Sequence, residues 1–109
     1  MRAMDDDLHQ LRVVRGAAII ATRKFYRCQR LYIRSVKDPV RRDSAGAMQV
    51  LGEYLKAAEV NEGALNDLWD VLFNAAPFPG RGEEMRRTMT RYEIIVSELH
   101  TIRMLVLGL

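Results

Sequence analysis

The sequence predicts an all-α fold, a single-domain bundle of about four helices. Apolar residues recur at helical spacing in four segments, and none of these segments alternates in the manner of a strand. The segments are separated by breaker positions, above all Asp38-Pro39 and the proline- and glycine-rich run 75–82. We therefore expect helices near residues 5–37, 43–59, 61–75 and 83–107, within one domain spanning 1–109.

The first predicted helix begins at the acidic run Asp5–Asp7, because carboxylates stabilise a helix N-terminus, and ends before Pro39. Gly16 interrupts it at a cost of about 1 kcal/mol relative to alanine, which predicts a close helix crossing there. At 100° per residue one side of the helix is apolar and predicted to be buried. This side comprises Val14, Ala18, Ala21, Phe25, Cys28 and Tyr32.

Asp43 or Ser44 is expected to cap the second helix, and Asn61 to cap a third. The predicted buried positions of the second helix are Ala47, Met48, Leu51, Tyr54, Leu55 and Ala58. Those of the third are Leu65, Leu68, Trp69, Leu72 and Phe73. This third set is wider than one helix face buries, so Trp69 and Phe73, together with Phe78, are predicted to form an interface.

Glu83 and Glu84 suit the first turn of the last helix. Its predicted buried side is lined by Met85, Met89, Tyr92, Val96 and Leu99 and widened by Ile95, Ile102 and Val106. The apolar run 105–109 follows, and we expect it to dock against the core or a second copy. That run and the surplus around Trp69 predict a homodimer or small homo-oligomer.

The net charge of +3 conceals a sharp division along the chain. Residues 1–42 carry +7, residues 43–85 carry −6 and residues 86–109 carry +2. This asymmetry favours a polyanionic partner, or neutralisation between the halves or between copies. A single cysteine, the absence of a signal peptide and the absence of an apolar run of about 18 residues predict an intracellular, by default cytoplasmic, protein without a membrane partner.

The function is predicted from an arginine stripe on the first helix, Arg12, Arg23, Arg27, Arg30 and Arg34, which falls within about 60° of the helix circumference. Between Leu8 and Lys37 there is no acidic residue, whereas a merely soluble helix usually mixes both signs. The arginine stripe, flanked by Arg15 and Lys24, predicts sequence-independent binding of nucleic acid through phosphates. Two alternatives remain open: a protein-interaction module that docks an acidic surface, and a plain solvated surface.

Other polar residues carry weaker predictions. Tyr26 is a candidate for stacking on bases, whereas Tyr32 is expected in the core. Arg81 is expected to be free in its loop, and Glu83 with Arg87 forms an i,i+4 pair. Cys28 is expected to be buried, and His9 and His100 lack partners at metal-ligand or triad spacing. We expect no enzyme activity, cofactor or metal.

Overall fold

The computed structural model is an all-α, up-down-up arrangement of three helices, which confirms the fold class. It describes the backbone of residues 2–38 and 45–108 and the side chains of 6–38 and 45–108. The helices are α1 (Arg2–Lys37), α2 (Ala45–Asn74) and α3 (Arg81–Val106). They form a rod of 59 × 20 × 18 Å, with α2 packed against both neighbours. The predicted caps Asp43 and Ser44 lie outside the described residues.

Helix α1 buries the side that the sequence predicts. Phe25 and Leu11 are almost fully buried, and Ala18, Ala21 and Cys28 accompany them. The helix ends at Lys37, as expected from the proline two residues later. Gly16 does not mark a helix crossing, because a Cβ atom built there would meet nothing within 4 Å.

The prediction of two helices between residues 43 and 75 was wrong, since α2 continues without a break through Asn61. Asn61 is a buried polar residue inside the bundle, 4% exposed, and its Oδ1 accepts a hydrogen bond from Thr22 Oγ1 of α1 at 3.2 Å. A side-chain partner on another helix satisfies the amide, so this asparagine has no need to cap a helix. The bundle consequently has three helices rather than four.

Three hydrogen bonds fix the antiparallel register of α1 against α2 and the residues that directly follow it. Asp7 accepts from the Ala76 backbone amide at 3.4 Å, Thr22 donates to Asn61, and Gln29 donates to the Tyr54 hydroxyl at 3.1 Å. In each pair the two residue numbers add to 83. Each residue further along α1 therefore lies beside a residue one position earlier in α2, as antiparallel packing requires. Tyr54 is also within 3.5 Å of Glu98, which connects all three helices.

The predicted loop lies between α2 and α3 and ends at Gly80, whose φ of 85° lies in the left-handed region that favours glycine. Glu83 and Glu84 occupy the first turn of α3, as predicted. The buried side of α3 runs through Thr88, Ile95, Leu99 and Ile102. Ile95, Leu99 and Ile102 are buried as predicted, whereas Val96 and Val106, also predicted to be buried, are 42% and 41% exposed.

The described apolar residues of the C-terminal run, 105–107, do not dock against the core of their own chain. Leu105, Val106 and Leu107 are 40%, 41% and 71% exposed. Met48, in the first turn of α2, is 64% exposed and was also wrongly predicted to be buried. No helix in the described part of the chain combines the length and apolar character that a membrane crossing requires.

Candidate interaction surface

The arginine stripe of Arg12, Arg23, Arg27, Arg30 and Arg34 lies on the solvent side of α1, opposite the buried Phe25 and Ala18. All five side chains are exposed. Among residues 6–38 and 45–108, no carboxylate lies within ion-pair distance of any of the five guanidinium groups. The stripe is about 33 Å long at 1.5 Å per residue, so it presents an extended row of available cations.

Exposed apolar side chains border the arginine stripe on both sides, a feature that the sequence analysis did not identify. On one side lie Val13, Ile20 and Leu31, which are 57%, 68% and 43% exposed. On the other lie Leu8, Ile19, Tyr26 and Ile33, between 42% and 53% exposed. A helical projection of the exposed positions would have revealed this surface, because the members of each set recur at intervals of seven or eleven residues, close to two or three helical turns.

Arg15, predicted to flank the binding surface, points instead toward α3. Its guanidinium group donates to both carboxylate oxygens of Glu84, at 2.7 Å and 2.5 Å, and lies 5.9 Å from the centre of the Phe78 ring. Hydrogen bonding to Glu84 raises the pKa of Arg15. The two groups form a half-buried bidentate pair that connects α1 to α3, so Arg15 is not available to a phosphate in the way that the stripe arginines are.

Lys24, the other predicted flanking residue, lies on the opposite side of the stripe. It lines a groove of about 630 Å³ between α1 and α2, which no residue of α3 enters. Arg27 and Leu31 line the same groove from α1, and Glu53 and Val60 line it from α2. The groove therefore holds cations, an anion and exposed apolar side chains together.

The two tyrosines of α1 have the different positions that the sequence predicts. Tyr32 is half-buried and stacks on Tyr54, with ring centres 5.4 Å apart. Tyr26 is 45% exposed and meets the edge of Phe25 at 5.3 Å. It lines a second groove, of about 330 Å³ between α1 and α3, where Arg23 and Arg91 approach from different helices.

The basic residues of α3 and its preceding loop are partly engaged within the chain. Arg87 pairs with Glu83 at 2.8 Å, as the i,i+4 spacing predicts. Arg81, predicted to be free, is half-buried and donates to the Ala75 carbonyl oxygen at 2.5 Å. Arg81 thus closes the α2–α3 connection, and it is not a free loop cation.

The three predicted interface aromatics do not form one patch. Trp69 and Phe73 stack with ring centres 6.5 Å apart, and Phe73 is 62% exposed. Phe78 packs against the core beneath Arg15. The Trp69–Phe73 pair is therefore a surface feature, whereas Phe78 contributes to the folded bundle.

The residues weighed for catalysis or metal binding are dispersed. Cys28 is a free thiol buried in the core, and His9 and His100 are both exposed. The described residues contain no cluster of three or more His, Cys, Asp or Glu side chains placed to hold a metal ion. Comparison of the chain with protein-family models, with curated proteins and with solved structures found no match.

Proposed function

We propose that this chain binds nucleic acid without sequence preference, through contacts between the arginine side chains of α1 and backbone phosphates. The observation that supports the proposal is the arginine stripe itself: five exposed guanidinium groups in one row, with no carboxylate at ion-pair distance among the described residues. Arginine matches phosphate oxygens with a planar fork of donors, and phosphate contacts carry little sequence information.

The strength of such binding depends on salt in a calculable way. If four to five arginines each neutralise a phosphate of a duplex, the logarithm of the binding constant falls with the logarithm of salt concentration at a slope of about −4. Raising salt from about 50 to 200 mM then weakens binding by a few hundredfold. Lys24 and Arg15 contribute less, because one lies over the α1–α2 groove and the other is paired with Glu84.

Gel-shift titration with random-sequence duplex and single-stranded DNA and RNA tests the proposal. The double charge reversal Arg27→Glu/Arg30→Glu should abolish binding and leave helicity unchanged. A matched control, Arg86→Glu/Arg103→Glu, makes the same change in net charge at exposed positions of α3 and should retain most of the affinity. Equal losses in both variants, or no binding by the wild type below about 100 µM at low salt, would exclude a specific site on α1.

The second candidate function is a protein-interaction module, an adaptor, regulator or inhibitor that docks an acidic protein surface. The apolar side chains beside the stripe favour it, because Val13, Ile20 and Leu31 find little to bury against in a phosphate backbone. A pulldown from nuclease-treated lysate separates the two functions. A protein partner survives the nuclease and is lost in Ile20→Ser, whereas a nucleic-acid cargo disappears with the nuclease.

Further proposals concern the cellular location of the protein, its oligomeric state and its lack of enzyme activity. We infer an intracellular, reducing location from the single buried cysteine, and a homodimer from the exposed apolar surface. The Trp69–Phe73 pair is retained as a candidate contact for a protein partner. We also propose that the chain is not an enzyme; an activity lost in Cys28→Ser or His100→Ala with folding intact would show otherwise.

A further inference from the structure

The groove between α1 and α3 has a cation on each wall. In the described part of the chain the backbones of both helices pack closely on α2 and remain apart from each other, so α2 forms the floor of this groove. The section that contains Tyr26, about 330 Å³, has a volume typical of small-molecule sites. Its lining includes Arg23 from α1 and Arg91 from α3, and no carboxylate lines it. This section therefore favours an anionic ligand.

Both arginines are available to such a ligand. Arg23 and Arg91 are exposed, and no carboxylate among residues 6–38 and 45–108 lies within ion-pair distance of either guanidinium group. Arg23 belongs to the arginine stripe, whereas Arg91 is carried by a different helix. The groove thus extends the electropositive surface of the stripe from α1 to α3.

Tyr26 supplies an aromatic surface beside these cations. Its side chain is 45% exposed, and its contact with Phe25 is edge-to-face, with the ring planes at 65° to each other. No aromatic ring of the described residues stacks on it in parallel. Proteins that bind single-stranded nucleic acid combine such exposed rings with cations, because an unpaired base stacks on the ring while the cations bind phosphates.

A polar group lies on the otherwise apolar floor of the groove. Asn61 is 4% exposed, and its Oδ1 accepts the hydrogen bond from Thr22, but its Nδ2 has no acceptor among the described residues. No fully buried side-chain nitrogen or oxygen of a buried or half-buried residue in the described chain lacks a partner, so Nδ2 is accessible through the groove that Asn61 lines. Nucleobases carry acceptor oxygens and ring nitrogens, so an inserted base can accept from Nδ2.

The heights of these groups along the rod fit a single nucleotide. Arg91 follows Thr22 by 69 positions, the same separation as in the directly bonded pair Arg15–Glu84, so Arg91 lies level with Thr22. Tyr26 lies one helical turn further along α1, about 6 Å at 1.5 Å per residue. One nucleotide spans this distance between its phosphate and its base.

We infer that this groove holds one unpaired base of a single strand, stacked on Tyr26, while Arg23 and Arg91 bind the flanking phosphates. The inference rests on the proposed function and specifies its ligand, because a strand with unpaired bases gains a contact that a duplex cannot make. In a duplex the bases are paired and stacked within the helix, so only the phosphate contacts of the arginine stripe are available.

Fluorescence anisotropy titrations of the full chain with three labelled oligonucleotides of equal length test the inference. The three are a thymidine strand, an abasic strand with the same phosphates, and a mixed-sequence duplex. The wild type should bind the thymidine strand about tenfold more tightly than the abasic strand, the scale of one stacked base. Tyr26→Ala should remove this difference and leave the affinities for the abasic strand and the duplex unchanged. Tyr26→Phe retains the ring and should preserve the difference.

Matched controls separate the groove from the rest of the surface. Phe73→Ala removes a 62% exposed aromatic ring outside the groove and should change none of the three affinities. Arg91→Gln should weaken binding of the thymidine strand and reduce its salt slope by about 0.7, the contribution of one phosphate contact on a single strand, with duplex binding unchanged. Arg103→Gln changes an exposed arginine of α3 outside the groove and should have no such effect.

Equal affinity of the wild type for the thymidine and abasic strands would overturn the inference, and so would a Tyr26→Ala variant that keeps the difference between them. The proposed function would still stand if Arg27→Glu/Arg30→Glu abolished duplex binding. If Tyr26→Ala removed the difference while this charge reversal left binding unaffected, the groove would be supported and the stripe refuted. Absence of wild-type binding to all three oligonucleotides would overturn both.

Discussion

Three glycines inside helices offer a direct test of how the bundle is stabilised. Gly16 lies in α1, and Gly52 and Gly63 lie in α2. A Cβ atom added at any of the three would meet nothing within 4 Å, and none has a positive φ. Alanine at an unobstructed position inside a helix stabilises it by about 1 kcal/mol relative to glycine, because the unfolded chain loses conformational freedom.

The combined variant Gly16→Ala/Gly52→Ala/Gly63→Ala should therefore gain about 2–3 kcal/mol, since the three sites share no neighbours and their effects add. For a domain of about 100 residues each kcal/mol raises Tm by about 4–8 °C, so an increase of roughly 10–20 °C is expected. Thermal and urea unfolding followed by circular dichroism at low protein concentration measure both quantities.

Gly80 provides the control for this series. Its added Cβ would also meet open space, but its φ is 85°, so Gly80→Ala should destabilise by about 1 kcal/mol or more. If the three helical substitutions gave no stabilisation, or Gly80→Ala behaved as they do, then backbone conformation would not be what distinguishes these glycines. The interpretation of Gly16 as a plain helix-interior glycine would then be refuted.

Two further predictions concern polar groups in the core. Asn61→Leu should lower the free energy of unfolding by about 1 kcal/mol, because the Thr22 hydroxyl loses its hydrogen-bond partner. The double variant Thr22→Val/Asn61→Leu should recover most of this loss. A coupling free energy below about 0.3 kcal/mol between the two sites, measured by urea unfolding, would contradict this prediction. Burial raises the pKa of Tyr54 above its ordinary value, against the lowering effect of the hydrogen bond from Gln29. The unfolded chain therefore ionises this tyrosine first, so its contribution to stability is complete below about pH 10 and is lost as the pH rises through the folded-state pKa. Unfolding free energies from about pH 8 to 11 should consequently fall more steeply for wild type than for Tyr54→Phe.

The outline of the fold could be predicted from local signals. The all-helical class, the end of α1 before Pro39, the loop after α2 and the acidic first turn of α3 all follow from side chains acting on their own backbone. The buried side of α1 followed from spacing, because that helix has a clear division between apolar and charged sides. Such features need no knowledge of the neighbouring helices.

What could not be predicted depends on contacts between helices. Asn61 has the side chain of a cap, and only the position of Thr22 across the bundle explains why the helix continues through it. Arg15 falls close to the stripe in the helical projection, yet Glu84, 69 residues away in sequence, holds it. Val96 was wrongly predicted to be buried along with Ile95 because apolar residues surround α3, and spacing alone does not choose between these two neighbours.

The opposite charges of the two halves have different consequences on different sides of the bundle. Between α1 and α3, Glu84 neutralises Arg15, and this pair acts within the chain. On the outer side of α1 no carboxylate of the described residues reaches the stripe, although α2 is strongly acidic. The carboxylates of α2 lie beyond ion-pair distance of the stripe arginines. Folding therefore leaves the cations of α1 and the anions of α2 unpaired.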